Sequence, residues 1–292
     1  MESVDIEALQ GWVGRAQTLD DVASPAPLAG LASLLDHETP PWMPGELPPL
    51  THWLYFLPRA RQSVMDADGH AKRGDILPPV PLPRRMWAGS RVRFLSPIPV
   101  GSTMSCRSAI AGVTAKRGRT GPMVFVTVKH QVMVGGTLAL VEEQDIVYRA
   151  PATANAAGAP DVPASAAAAS GVRSQSTRSY VPDPIKLFRF SALTFNAHRI
   201  HYDRDYARDV EGYPGLVVHG QLIAILLMDH FLRHAGGVQV SAFTFRAERP
   251  LFDTAPFDLC LAESDAGANL WASAANGTTA FTATVESGPR VR

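Results

Sequence analysis

The sequence predicts an α+β fold in which an antiparallel sheet wraps around a buried helix, the arrangement being repeated twice. Three observations carry the prediction. First, four strand candidates follow one another in the first half, Met86–Leu95, Met104–Thr114, Met123–Val134 and Thr137–Tyr148, with Gly101, Gly118, Gly121, Gly135 and Gly136 between several of them. Four more close the chain, at Val238–Ala247, Phe257–Glu263, Asn269–Ala275 and Thr278–Glu286. Second, Leu216–Leu232 is apolar around nearly its whole circumference, the pattern of a helix buried on all sides. Third, Phe94-Leu-Ser-Pro97-Ile98 before the strand carrying Cys106 echoes Ala247-Glu-Arg-Pro250-Leu251 before the strand carrying Cys260.

The remaining elements follow in chain order. Ile6–Ala16 and Leu28–Leu35 are helical in pattern, and a segment rich in proline and aromatics follows through Trp42, Trp53, Tyr55 and Phe56. These aromatics, with Trp87, pack in a core, and one or two of them line a cleft between the repeats. From Ala150 to Ser170 the chain is mostly alanine, proline, serine and glycine, which offer little side chain to pack. The expected organisation is therefore a first repeat over 1–150, structural and substrate-binding, a linker over 151–170, and a second repeat over 171–292 carrying the site. Tyr180 and Leu187–Phe190 read as short extended pieces.

Composition narrows the function classes. In 292 residues, 46% are hydrophobic and 18% charged, enough for a sizeable core and incompatible with disorder throughout. Lysine plus arginine equals aspartate plus glutamate at 27 each, so no net field draws the protein to nucleic acid or to an anionic membrane. The acidic start Met-Glu-Ser-Val-Asp-Ile-Glu has no export pattern, and no apolar run reaches the roughly 20 residues that span a bilayer, so a cytoplasmic location is expected. Cys106 and Cys260 lie in apolar runs and read as small buried hydrophobes.

One stretch concentrates chemistry: Ser191-Ala-Leu-Thr-Phe-Asn196-Ala-His198-Arg199-Ile-His201-Tyr-Asp203, followed by Pro214-Gly-Leu-Val-Val218-His219-Gly220. It resembles the signature of hot-dog-fold hydratases and dehydratases of the MaoC type, in which an aspartate precedes a histidine by five residues and a His-Gly pair opens the central helix. Asn196, His201 and His219-Gly220 occupy those places. In the first half, Arg84-Arg-Met-Trp87-Ala-Gly89, Gly121-Pro-Met-Val-Phe-Val126 and Glu142-Glu-Gln-Asp145-Ile-Val-Tyr148 resemble the 3-methylfumaryl-CoA (mesaconyl-C4-CoA) hydratase branch. The resemblance implies a double hot-dog with its site in the second repeat, and a hydro-lyase acting on an acyl-CoA thioester. CoA then belongs to the substrate, and no separate cofactor is expected.

Hydration of an α,β-unsaturated thioester needs a base for water, an acid for the α-carbon, and donors for the enolate oxygen. His201 titrates near neutrality and is the expected acid/base. Gly220, at a helix start with unsatisfied N–H groups and no side chain to block approach, is the expected oxyanion donor. Asn196 departs from the resemblance, since an amide cannot act as a base near pH 7. A carboxylate there would face the carboxylate of a dicarboxylic substrate, and like charges about 4 Å apart repel by roughly 4 kcal/mol at an effective dielectric near 20.

Arg199 is a candidate attractive partner for that substrate carboxylate, or else an exposed salt bridge. His198, Val218, His219 and Arg246 complete the expected substrate contacts, with His219 equally able to fix the helix entry. Lys116, Arg117 and Arg119 form a solvated hairpin tip or an anchor for CoA phosphate, and Arg249 carries the same two readings. His198 and His201 with Asp203 lack a further independent ligand, so no metal is expected. Itaconyl-CoA or another enoyl-CoA, a thioesterase using Asp229, and a noncatalytic acyl-CoA-binding protein remain as alternatives. A homodimer is compatible with the sequence.

Overall fold

A computed structural model describes residues 4–118, 121–150 and 173–288. Ten strands form one antiparallel sheet: β1 (Ala16–Val22), β2 (Arg84–Phe94), β3 (Thr103–Gly118), β4 (Gly121–Val134), β5 (Thr137–Arg149), β6 (Ser176–Tyr180), β7 (Val240–Ala247), β8 (Phe257–Ser264), β9 (Gly267–Ala274) and β10 (Thr279–Ser287). Their spatial order is β1-β3-β4-β5-β2-β7-β10-β9-β8-β6. Outward from the central β2–β7 pair the two halves run in the same chain order, so the fold is an internal duplication, as the proline echo implied. The two halves meet tightly. Gly89 pairs with Arg246, and a Cβ at Gly89 would lie 2.4 Å from the Phe245 carbonyl oxygen.

The edge strand β1 carries no alternation and is largely exposed, and the sequence pattern does not announce it, whereas β6 alternates between half-buried and exposed positions and ends at Tyr180, which the sequence marks as extended. Ile6–Ala16 is therefore only in part a helix. α1 (Ile6–Gln10), capped by Asp5, stops at Gly11, and the chain turns through Gly14 at φ +88° into β1. Polar, charged edges such as Asp20 and Asp21 discourage pairing with further strands.

Three more α-helices pack against the sheet or one another. α2 (Pro25–Leu34) starts at a proline. α3 (Pro184–Leu193) replaces the extended piece expected at Leu187–Phe190. The Asp183 carboxylate accepts from Lys186 N–H at 2.9 Å, Pro184 opens the first turn, and Leu187, Phe190 and Ser191 form one buried face. α4 (Gly220–Ala235) is buried continuously from Leu222 to Leu232 and lies against β8, β9 and β10. It begins later than Leu216, because Val217 bridges Phe252 and Val218 N–H donates to the Leu251 carbonyl.

The first half has no counterpart of α4. Prolines 40, 41, 44, 48 and 49 interrupt any helix, and between α2 and β2 the described chain forms only the short 3-10 turns Thr51–Leu54 and Gln62–Val64. This irregular segment leaves open space between the halves. The expected linker over 151–170 lies outside the described residues.

Candidate active site

That space is a cavity of about 900 Å³, lined by residues of both halves, a volume suited to an extended small-molecule ligand. Trp53, Tyr55, Phe56 and Trp87 belong to or pack against the main hydrophobic core and also line the cavity, so the core reading holds and more of them face the cleft than the one or two expected.

The stretch singled out in the sequence forms the wall contributed by the second half. After α3, Phe195 adopts φ +48° and turns the chain, and Asn196 Oδ1 accepts from the His198 N–H at 2.9 Å. Residues Arg199–His201 form a 3-10 turn that places the His201 ring inward and buried. Its Nδ1–H donates to the Val217 carbonyl at 2.7 Å, which sets the tautomer and leaves Nε2 as a free acceptor. Val217 N–H in turn donates to the Ile200 carbonyl, so this turn and the entry of α4 hold each other. His219 stacks on His201 at 3.7 Å and hydrogen-bonds Ser191 Oγ at 2.9 Å. Gly220 opens α4 on the cavity lining, where the first N–H groups of the helix have no partner within the helix, and a Cβ there would meet nothing within 4 Å.

Asn196, His198, His201, Val218, His219 and Gly220 thus converge on one cavity. Arg199 and Arg246 do not line it, which corrects the expected substrate contacts. The Arg199 guanidinium pairs with Asp203 at 2.8 Å, donates to the Ala67 carbonyl and covers the Tyr206 ring at 4.2 Å. Arg246 lies mid-sheet on β7, opposite Gly89 and Thr282. Lys116 and Arg117 are exposed and away from the cavity, Arg119 lies outside the described residues, and exposed Arg249 stands on the cavity wall. Asp229 also lies outside the lining, held by Arg178 at 3.1 Å and Arg233 at 3.0 Å, so α4 offers no acid for a thioesterase.

The first half contributes what sequence reasoning missed. A tight turn at Asp66–His70 docks on the Asn196–His201 loop: Arg199 N–H donates to the Asp68 carbonyl at 2.9 Å, and Gly69, at φ +90°, lies so close that a Cβ would sit 1.8 Å from the Ala197 carbonyl oxygen. The Asp68 carboxylate accepts from both the backbone N–H and the Nδ1–H of His70, at 2.8 and 2.9 Å. The His70 ring lies tilted against His198 at 4.1 Å between centroids, and His198 lies 5.5 Å from His201. Arg85, on β2, also lines the cavity and forms no ion pair among the described residues. The available signal was an Asp-Gly-His triplet in a long aperiodic segment, where binding residues tend to gather.

Burial sets the electrostatics. It pushes His201 down to about 4, against the raising effect of the Val217 carbonyl. Burial, with His70 and His201 as like-charge neighbours, pushes His198 down to about 2, and it holds His219 well below its ordinary value. These rings are neutral near pH 7, so His201 Nε2 is available as a base. The two hydrogen bonds from His70 hold the Asp68 carboxyl well below the ordinary range despite its partial burial. At the far end of the cavity Glu142, held at about 2, accepts from His52 Nε2, Trp53 Nε1 and Ser90 Oγ. Among the described residues Asp68, His70 and His198 form the one cluster with donor atoms all within 4.8 Å of one another. Asp203, engaged by Arg199, does not join it.

A model of the hydroxyacyl-thioester dehydratase type 2 family matches residues 50–253, a span that includes the cavity wall from both halves. The chain belongs to that family. Among its dehydratase relatives, the mesaconyl-C(4)-CoA hydratase of Chloroflexus aurantiacus is 48% identical over 278 residues, covering 95% of this chain and 97% of that protein. The fold is shared with a MaoC-like dehydratase from Phytophthora capsici, at TM-score 0.66 and 12% identity, covering 99% of this chain and 100% of that one. It is shared too with a Mycobacterium tuberculosis protein described as a double hot-dog, at TM-score 0.58 and 14% identity, covering 94% and 96%. This dehydratase-family chain is thus a double hot-dog and a hydro-lyase, as the sequence resemblance implied.

Proposed function

We propose that the protein hydrates a branched dicarboxylic enoyl-CoA, adding water to 3-methylfumaryl-CoA (mesaconyl-C4-CoA) to give citramalyl-CoA. The observation that carries the hydratase reading is the convergence of the free His201 Nε2 with the open N-terminus of α4 at Gly220 in one cavity. His201 takes a proton from water as the water oxygen bonds to the β-carbon. The π pair moves onto the thioester, whose oxygen accepts from Gly220 N–H, and the proton on His201 then goes to the α-carbon. Atoms balance with one water consumed and no cofactor required.

Arg85 supports the dicarboxylic acyl group. A cation on the cavity wall, pulled down in pKa by burial and partly offset by Tyr148 and Asp68 but held in no ion pair among the described residues, gains from a ligand anion. This role moves from Arg199, whose charge Asp203 already satisfies. The similarity to the Chloroflexus hydratase over nearly the whole chain supports the same assignment.

A panel of enoyl-CoA thioesters, mono- and dicarboxylic, with and without a branch methyl, tests the proposal. The expected result is loss of enoyl absorbance without release of thiol, fastest on the branched dicarboxylic substrate. Thiol release would mark a thioesterase, and preference for crotonyl-CoA or itaconyl-CoA would overturn the assigned acyl group.

A further inference from the structure

Resting on the hydratase reading, we infer that Asp68, acting through His70, is the carboxylate of this active site, supplied by the first half in place of the acid absent at position 196. When His201 holds the proton taken from water, a positive charge appears beside the neutral rings of His198 and His219, with His70 as a further like-charge neighbour. Among the described residues the second-half wall offers one carboxylate, Glu211, and Arg84 already engages it. Asn196 is neutral, and its Oδ1 is occupied by the His198 N–H.

Three carboxylates line the cavity: Asp68, Glu142 and Glu211. Glu142 is saturated by His52, Trp53 and Ser90, and Glu211 pairs with Arg84 at 3.3 Å. Asp68 alone stands beside the histidines. Its carboxylate fixes the His70 tautomer through Nδ1–H, and the His70 ring lies 4.1 Å from His198, which lies 5.5 Å from His201. The groups facing His70 are Asp68, which favours its protonated form, and Arg85, Arg73 and His198, which oppose it.

The docking at Gly69 and Arg199 holds this unit in register with the Asn196–His201 loop. Asp68 is thus a positioning residue: it orients His70, and its negative charge offsets the like-charge opposition that His70 presents to a protonated His201, while staying behind the His70 ring. A dicarboxylic substrate gains from this placement. An aspartate at 196 would meet the substrate carboxylate directly, whereas Asp68 reaches the reacting centre through an imidazole.

The test compares Asp68→Asn, His70→Gln and the double variant with wild type on the best substrate of the panel. Asp68→Asn should lower kcat on the order of 10- to 100-fold with KM changed less than about threefold, and should move the acid limb of the kcat/KM profile down by about one pH unit, as loss of a neighbouring negative charge lowers the pKa of the base. His70→Gln should lose a similar factor, and the double variant little more, because the two act as one unit. Asp66→Asn, which keeps the backbone bonds of the turn and whose side chain, off the cavity wall, bonds only the exposed Ala67 N–H among the described residues, should match wild type.

A lowered thermal midpoint and raised KM with an unmoved pH profile would reduce the pair to a structural clamp and overturn the inference. So would activity abolished by chelation and restored by zinc, which would make Asp68, His70 and His198 a metal site. Unaffected Asp68 and His70 variants of an active enzyme would sink this inference alone. A wild type inactive on the whole panel would sink the hydratase reading with it.

Discussion

At the scale of single residues, the proposed preference for a dicarboxylic substrate divides between Arg85 and Asn196. Replacing Arg85 by Met removes a charge-assisted contact worth about 1.5–3 kcal/mol, so kcat/KM for the dicarboxylic substrate should fall roughly 10- to 100-fold. Turnover of crotonyl-CoA, which has no carboxylate to bind, should change little, and steady-state kinetics on the two substrates reads the difference. Asn196→Asp tests the complementary repulsion. Its Oδ1 can keep the contact with the His198 N–H, while the new charge should shift the ratio of kcat/KM values at least about 10-fold toward crotonyl-CoA. An unchanged ratio would place the substrate carboxylate elsewhere in the cavity. His201 and Gly220 were legible from their spacing because a histidine before a His-Gly helix entry is a local pattern. Asp68 and Arg85 were not, because their meaning depends on which loop they meet in space.

Among the elements, the Asp66–His70 turn and the entry of α4 together shape the site. Gly69 lies at φ +90° against the Ala197 carbonyl, where any Cβ would clash with backbone. Gly69→Ala should therefore cost about 1–3 kcal/mol of stability, or undock the turn and lower activity while the rest of the fold survives. Denaturant unfolding and kcat measured on the same preparation separate these outcomes, and a variant that matches wild type in both would show the docking to be dispensable. Most strands were readable from alternation and punctuating glycines. β1 was obscure because an edge strand needs no buried face, β6 was read only at Tyr180, and Leu187–Phe190 was misread because four apolar-rich residues fit a strand or a helix until the Asp183 cap and Pro184 decide between them.

Across the whole molecule, the cavity gathers His70, His198, His201 and His219, all held below the ordinary histidine pKa of 6.5 mainly by burial. Each is neutral in the folded protein at pH values where the unfolded chain already binds a proton. Below pH 6.5 the unfolded state takes up more protons, so falling pH favours unfolding, and the loss continues toward about 4, where His201 protonates in the fold. These histidines should leave stability level from about pH 7 to 8 and make it fall steadily between pH 6.5 and 4. Thermal midpoints across that range check this, and a midpoint at pH 5 equal to that at pH 7.5 would contradict it.

By itself the sequence determined the fold class, most strands, the buried helix and the second-half wall of the site, because periodicity and short spacings are written locally along the chain. The tertiary structure decided the rest. It left the first half without a long helix, opening the cavity; it withdrew Arg199 and Arg246 and supplied Arg85; and it brought Asp68 and His70 against His198 across more than a hundred residues. Those contacts depend on packing between distant segments, and no local pattern encodes which loop will fill the space a missing helix leaves.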